Sequence, residues 1–109
     1  MTDDTREYEV AVVGGGPAGL TTALYTTRLS HDTVVINRGG GRAAMMTETH
    51  NVVGITEEVS GNELLETARE QIQAYGADYV RDFVESAERT DDDRFRLSTG
   101  DAEFVAENV

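Results

Sequence analysis

Gly14, Gly16 and Gly19 stand at the spacing G-x-G-x-x-G, inside GGGPAGL at residues 14–20. Glycines so placed suit one kind of chemistry: holding a pyrophosphate with backbone alone. Gly14 permits a tight turn, and Gly16 carries no side chain to block the diphosphate. Gly19 lets a helix pack close to the strand before the loop. Gly15, Pro17 and Ala18 complete the loop, and the fixed φ of Pro17 suits a first helical turn. The N-terminus of that helix offers unpaired N–H groups and a partial positive charge to phosphates. Asn37 and Arg38 follow the next apolar run. An asparagine there can hydrogen-bond ribose hydroxyls as a neutral donor and acceptor, or begin a turn. Arg38 has three roles open to it. It can pair with a 2′-phosphate, which is the NADP signature, pair with the cofactor's diphosphate, or stay solvated.

The elements that must position these residues are legible around them. Residues 8–13 read as a short buried strand, with valines at 10, 12 and 13. A helix from Pro17 to Ser30 presents Leu20, Ala23 and Leu24 on one face, and His31 stands favourably near its C-terminal dipole. Thr33 to Ile36 reads as a second buried strand, giving a short βαβ unit. Residues 37–61 look like an excursion, broken by Gly39-Gly40-Gly41, with one helical turn from Arg42 to Met46 and turn signals at Asn51 to Gly54. Met45 and Met46 read as packing residues, and His50 has no identifiable partner acid. A second helix spans about residues 62–75, with Leu64, Leu65, Ala68, Ile72 and Tyr75 as its apolar stripe. Ser60 or Asn62 can cap it, and Gly76 sits where a C′ glycine belongs. Residues 77–79 suit a third parallel strand. Residues 82–88, 95–98 and 103–106 read as three short strands, turned at Asp91 to Asp93 and at Gly100-Asp101. Residues 1–7 read as polar and loose. The fold class is α/β: a Rossmann-like parallel sheet with a three-stranded antiparallel meander, in one domain over residues 1–109.

Composition narrows the function. The 109 residues carry a formal charge of −12, which argues against nucleic acid and against anionic membrane surfaces. All nine basic residues are arginine, and an acidic, lysine-free surface suggests adaptation to high salt. With no cysteine, the chain holds no disulfide, thiolate metal site or redox dithiol. No apolar run approaches membrane-spanning length, and MTDDTRE lacks the order of a secretory signal. A soluble cytoplasmic protein is the expectation.

The order and spacing of these residues resemble the N-terminal FAD-binding segment of the thioredoxin-reductase-like pyridine nucleotide-disulfide oxidoreductases. GGGPAGL is followed by a Gly-rich loop, an Asn-x-x-Gly turn at Asn51 to Gly54, Ser60-Gly61, and a helix ending in Tyr75-Gly76-Ala77. The resemblance implies a flavoprotein oxidoreductase whose FAD has its ADP half at residues 14–19, with NADPH as electron donor. It also implies cofactor contacts from Gly40, Gly41, Arg42 and Asn51, with Arg42 near the flavin, where positive charge stabilises the reduced anion. Three departures stand out. Asn37-Arg38 replace the family's usual acid, Arg42 replaces its glutamine, and Val52-Val53 replace its aromatic-proline turn. The family's Cys-x-x-Cys domain and the C-terminal segment that completes its FAD domain have no counterpart in these residues. A homodimer or a complementary subunit, an NADP-binding oxidoreductase domain, and a non-catalytic nucleotide-binding remnant are the other readings this leaves open.

Overall fold

The computed structural model describes residues 5–38 and 61–109, with all of their side chains except those of Pro17, Gly61 and Asn62. Strand β1 is Thr5–Val13, helix α1 is Pro17–Arg28 and strand β2 is Thr33–Asn37. Helix α2 is Gly61–Ala74, followed by β3 (Asp78–Arg81), β4 (Ser86–Arg89), β5 (Phe95–Ser98) and β6 (Glu103–Asn108). The strands form one six-stranded sheet in the order β3-β2-β1-β6-β5-β4. β3, β2, β1 and β6 run parallel, and β6, β5 and β4 alternate in direction. The expected meander is therefore continuous with the parallel sheet, joined to it through β6.

That junction corrects one expectation. Thr5, Arg6 and Glu7 are not loose: they pair with Glu103, Phe104 and Val105 of β6. The physical reason lies almost 100 residues away. Phe104 is fully buried, the Arg6 guanidinium lies 5.6 Å from its ring centroid, and Glu7 accepts a 2.7 Å hydrogen bond from Arg94. The polar start of β1 thus has both a ladder partner and side-chain partners.

Two apolar clusters sit on the two faces of the sheet. Leu20, Ala23, Val35, Ile72 and Ala77 join both helices to β2. Ala11, Val34, Ile36, Leu97, Phe104 and Ala106 form the other. The alternation of Val34, Val35 and Ile36 between the clusters is the period of two of a strand buried on both faces.

The helix ends explain why the strands arrive where they do. α1 closes with Ser30 at φ +68°, where Ser30 N–H donates to Thr27 and His31 N–H donates to Thr26. α2 closes the same way, with Gly76 at φ +102°, Gly76 N–H to Gln73 and Ala77 N–H to Ile72. Both are Schellman motifs, which satisfy the last carbonyls and turn the chain back toward the sheet. The expected stripe of α2 holds at Leu65, Ala68 and Ile72, but Tyr75 is 53% exposed, with the Arg28 guanidinium over its ring. The Schellman turn carries it past the end of the buried face.

Two contacts tie β1 to its neighbours. The Tyr8 hydroxyl donates to Asp78 Oδ2 at 2.6 Å, linking β1 to β3. Burial, helped by the Asp78 carboxylate, pushes the Tyr8 phenol up to about 12. Glu9 pairs with His31 Nδ1 at 3.0 Å and accepts the Asp32 N–H. These two bonds hold the Glu9 carboxyl below its ordinary range. His31 thus contacts a carboxylate as well as the helix end expected for it.

Among the described residues no helix is long and apolar enough to cross a membrane, and no His/Asp/Glu group has the make-up of a metal site.

Candidate functional site

The carboxyl ends of β1 and β2 and the N-terminus of α1 meet at the glycine loop. Gly14 N–H donates to Ile36 O at 2.9 Å, so the β1–β2 ladder runs to the edge of the loop. There Gly14 takes φ +106°, in the left-handed region that side chains resist, and the chain leaves the sheet. A Cβ on Gly19 would collide with the Gly14 carbonyl oxygen and press on Val12. This close approach seats α1 against β1. A Cβ on Gly15 would lie 2.7 Å from the Asn37 amide group. Gly15 is thus small because Asn37 occupies the space beside it.

Gly16 is different. Among the described residues nothing lies within 4 Å of where its Cβ would be. No packing among them demands a glycine there. Gly16 is the N-cap of α1, with no side-chain cap, proline in the first turn and no acid there. Leu20 N–H closes back on Gly16 O at 3.0 Å, while Pro17 has no N–H and the amides of Ala18 and Gly19 begin the helix. The arrangement is an open, acid-free helix start with a positive end, which suits an anion approaching over Gly16.

Asn37 and Arg38 stand beside this loop. Asn37 closes β2, half-buried, and its Nδ2 donates to the Tyr79 hydroxyl at 2.8 Å. It lies in the strand rather than in a turn. Tyr79 comes from β3, where it pairs in register with Val35, two residues before Asn37. The Arg69 guanidinium of α2 lies 5.4 Å from the Tyr79 ring centroid. Arg38 is exposed, and its guanidinium sits 5.4 Å from the ring centroid of Phe83, itself 52% exposed. A cation over an aromatic ring at the surface is worth about 0.5–1 kcal/mol, enough to bias Arg38 without consuming its hydrogen-bond donors.

The structure therefore brings Gly14 to Gly19, Asn37 and Arg38 to the carboxyl ends of the neighbouring strands β1 and β2. Gly40, Gly41, Arg42 and Asn51 lie outside the described residues. Tyr79, Phe83 and Arg69 are neighbours of the site that the sequence reading does not single out. One signal was available: a third parallel strand beside β2 must set its carboxyl end next to Asn37, and Tyr79 carries the polar tip able to reach it.

The glycine turn, the open helix start and the polar residue closing the second strand define an α/β unit of the Rossmann-like class, the fold on which dinucleotides are held at the carboxyl ends of strands. The chain belongs to the pyridine nucleotide-disulphide oxidoreductase family, which it matches over residues 8–108. It is 36% identical over 104 residues to a thioredoxin reductase of Rickettsia bellii, covering 93% of this chain and 33% of that protein. Among solved structures it resembles a thioredoxin reductase from Gloeobacter violaceus, with TM-score 0.88 and 33% identity over 94% of this chain and 33% of that one. An atypical thioredoxin reductase from Desulfovibrio vulgaris Hildenborough gives TM-score 0.83 and 32% identity, over 91% of this chain and 33% of that one. The resemblance carried by GGGPAGL and the spacings after it thus extends over nearly the whole chain. The chain spans about a third of the length of the relatives it matches.

Proposed function

We propose that this chain is the FAD-binding portion of a thioredoxin-reductase-like flavoprotein oxidoreductase, and that Gly14 to Gly19 hold the ADP half of FAD. The observation that carries the reading is the open space over Gly16 at the uncapped, acid-free start of α1. A diphosphate fits that space, and the Ala18 and Gly19 amides and the helix dipole would hold it. FAD, when bound, supplies the hydride and electron transfer. The residues of this chain bind and orient. Asn37 faces the ribose, and by the family resemblance Gly40, Gly41, Arg42 and Asn51 serve the remainder of the cofactor. No residue here is assigned a catalytic role, and the sequence has no cysteine for a dithiol. NAD(P)H as electron donor and a homodimer or complementary subunit are assigned on the family resemblance, and a cytoplasmic location on the composition.

One observation favours a second reading. Asn37 is neutral, and Arg38 beside it keeps its guanidinium exposed on Phe83, which suits the 2′-phosphate of NADP. Titration of the chain with each cofactor separates the two, following flavin fluorescence for FAD and calorimetry for NADP. Saturable FAD binding is expected; saturable NADP binding with no FAD binding would reverse the assignment.

A further inference from the structure

Phe83 stands just past the end of β3, and the fold turns its side chain outward. β3 ends at Arg81, in register with Asn37 of β2. Asp82 N–H then donates to Asn37 O at 3.1 Å, and Asp82 Oδ1 accepts the Phe83 N–H at 2.8 Å. These bonds fix the backbone where the chain leaves the sheet. Val84 packs against the cluster around Phe104, whereas Phe83 belongs to neither of the two apolar clusters and is 52% exposed. The Arg38 guanidinium, exposed as well, lies 5.4 Å from the Phe83 ring centroid. A planar cation and an aromatic ring thus stand together in solvent at the carboxyl ends of β2 and β3.

Their place relative to the glycine loop gives the pair a meaning. The loop follows β1, Asn37 closes β2 and Phe83 follows β3, and these three strands are neighbours in the sheet. Adjacent strands lie about 4.8 Å apart, so the strand ends span roughly 10 Å from β1 to β3. A nucleoside diphosphate laid across them, with its phosphates over Gly16 and its ribose at Asn37, carries its base toward Phe83 and Arg38. A base is flat, and aromatic rings and arginine guanidinium planes are the surfaces on which proteins stack bases. A neutral base also adds binding that the chain's charge of −12 does not oppose.

We propose that the Arg38–Phe83 pair is the platform against which the adenine of the nucleotide stacks. This rests on the reading that Gly14 to Gly19 hold the ADP half of FAD, and it gives the base a place and two residues. Arg38 acts through the flat face of its guanidinium, a role that calls for no 2′-phosphate. Phe83 holds that face in position and adds its own ring to the surface the base covers.

The test is calorimetric titration of the 109-residue chain with ADP and with UDP, which share ribose and diphosphate and differ in the base. Adenine offers the larger π face, so the wild type should bind ADP more tightly than UDP. Phe83→Ala should weaken ADP by at least about fivefold, the lower end of what a stacked base is worth, and should narrow the preference over UDP. Phe83→Trp should keep both the affinity and the preference. Unchanged ADP affinity in Phe83→Ala, an equal loss for ADP and UDP, or a Phe83→Trp chain as weak as Phe83→Ala would overturn the platform and leave the glycine-loop reading standing. A wild type that binds neither nucleotide, or nucleotide binding unaltered by Gly16→Val, would overturn that reading and the platform with it. If Phe83→Ala does not fold, the wild-type chain with ADP still decides. The adenine H2 and H8 protons should show nuclear Overhauser contacts to the Phe83 ring or the Arg38 methylenes, and their absence would refute the stacking.

Discussion

At the scale of single residues, the glycines of the loop divide by what surrounds each missing Cβ. Gly19 is fixed by the fold, because a Cβ would meet the Gly14 carbonyl, and backbone cannot step aside. Gly16 has open space around it and an ordinary φ of −77°. The two should therefore fail differently. Gly19→Ala should lower stability by about 1–3 kcal/mol, as overpacking against backbone does. Gly16→Ala should change stability by less than about 1 kcal/mol. Urea denaturation of both variants checks this, and equal losses would mean that the space over Gly16 is not open. Tyr8 supplies a second case. Its phenol titrates near 10 when exposed and near 12 in the fold, so the folded state holds the proton more tightly. The stability this represents is complete below pH 10 and is lost as the pH rises from 10 toward 12, where the unfolded chain ionises first. Thermal melts across that range should show the loss, and Tyr8→Phe should flatten the dependence. A wild-type alkaline limb identical to that of Tyr8→Phe would assign it to other groups.

At the scale of elements, the helix ends invite one direct comparison. Gly76 closes α2 in the left-handed region without strain, whereas Ser30 closes α1 there at φ +68° with a side chain. A left-handed residue with a Cβ costs roughly 1–2 kcal/mol. Ser30→Gly should recover about 1 kcal/mol of that, seen as a higher denaturation midpoint at unchanged slope; a lower midpoint would show that the serine side chain contributes more than its strain costs. The same elements show what the sequence made legible. β1, α1 and β2 were readable because valine runs, Pro17 and the glycines are local signals, and their bounds came out within three residues. Gly76 likewise announced the end of α2. The first three residues of β1 were not readable. Thr5, Arg6 and Glu7 are polar, and they become a strand because Glu103, Phe104 and Val105 lie beside them. Asn37 could be singled out as a candidate from its place at the end of the second strand. Its partner was legible only indirectly, since Tyr79 is 42 residues further on and it is the β2–β3 register, implied by the expected third parallel strand, that sets the two together.

At the scale of the whole molecule, charge is the dominant feature. Twenty-one acids face nine arginines, and ion pairs such as Arg94 with Glu7 and Asp92 or Arg96 with Glu88 neutralise only part of the excess. These pairs are largely exposed, so each contributes about 0–1 kcal/mol, and the remaining repulsion is screened over about 10 Å at 0.1 M salt. We propose that the composition is an adaptation to high salt. The melting temperature at neutral pH should rise between low and molar sodium chloride, and a flat or falling trend would contradict this. The acidic field also disfavours an anionic cofactor at long range. On the proposed reading, binding comes from a short-range cradle, the glycine loop at the start of α1. The measurement that tests this most directly is flavin fluorescence titration of the wild-type chain beside Gly16→Val. The variant fills open space rather than packed core, so circular dichroism should show both folded. The account predicts saturable FAD binding by the wild type and its loss in the variant; equal FAD affinity in the two folded proteins would contradict it.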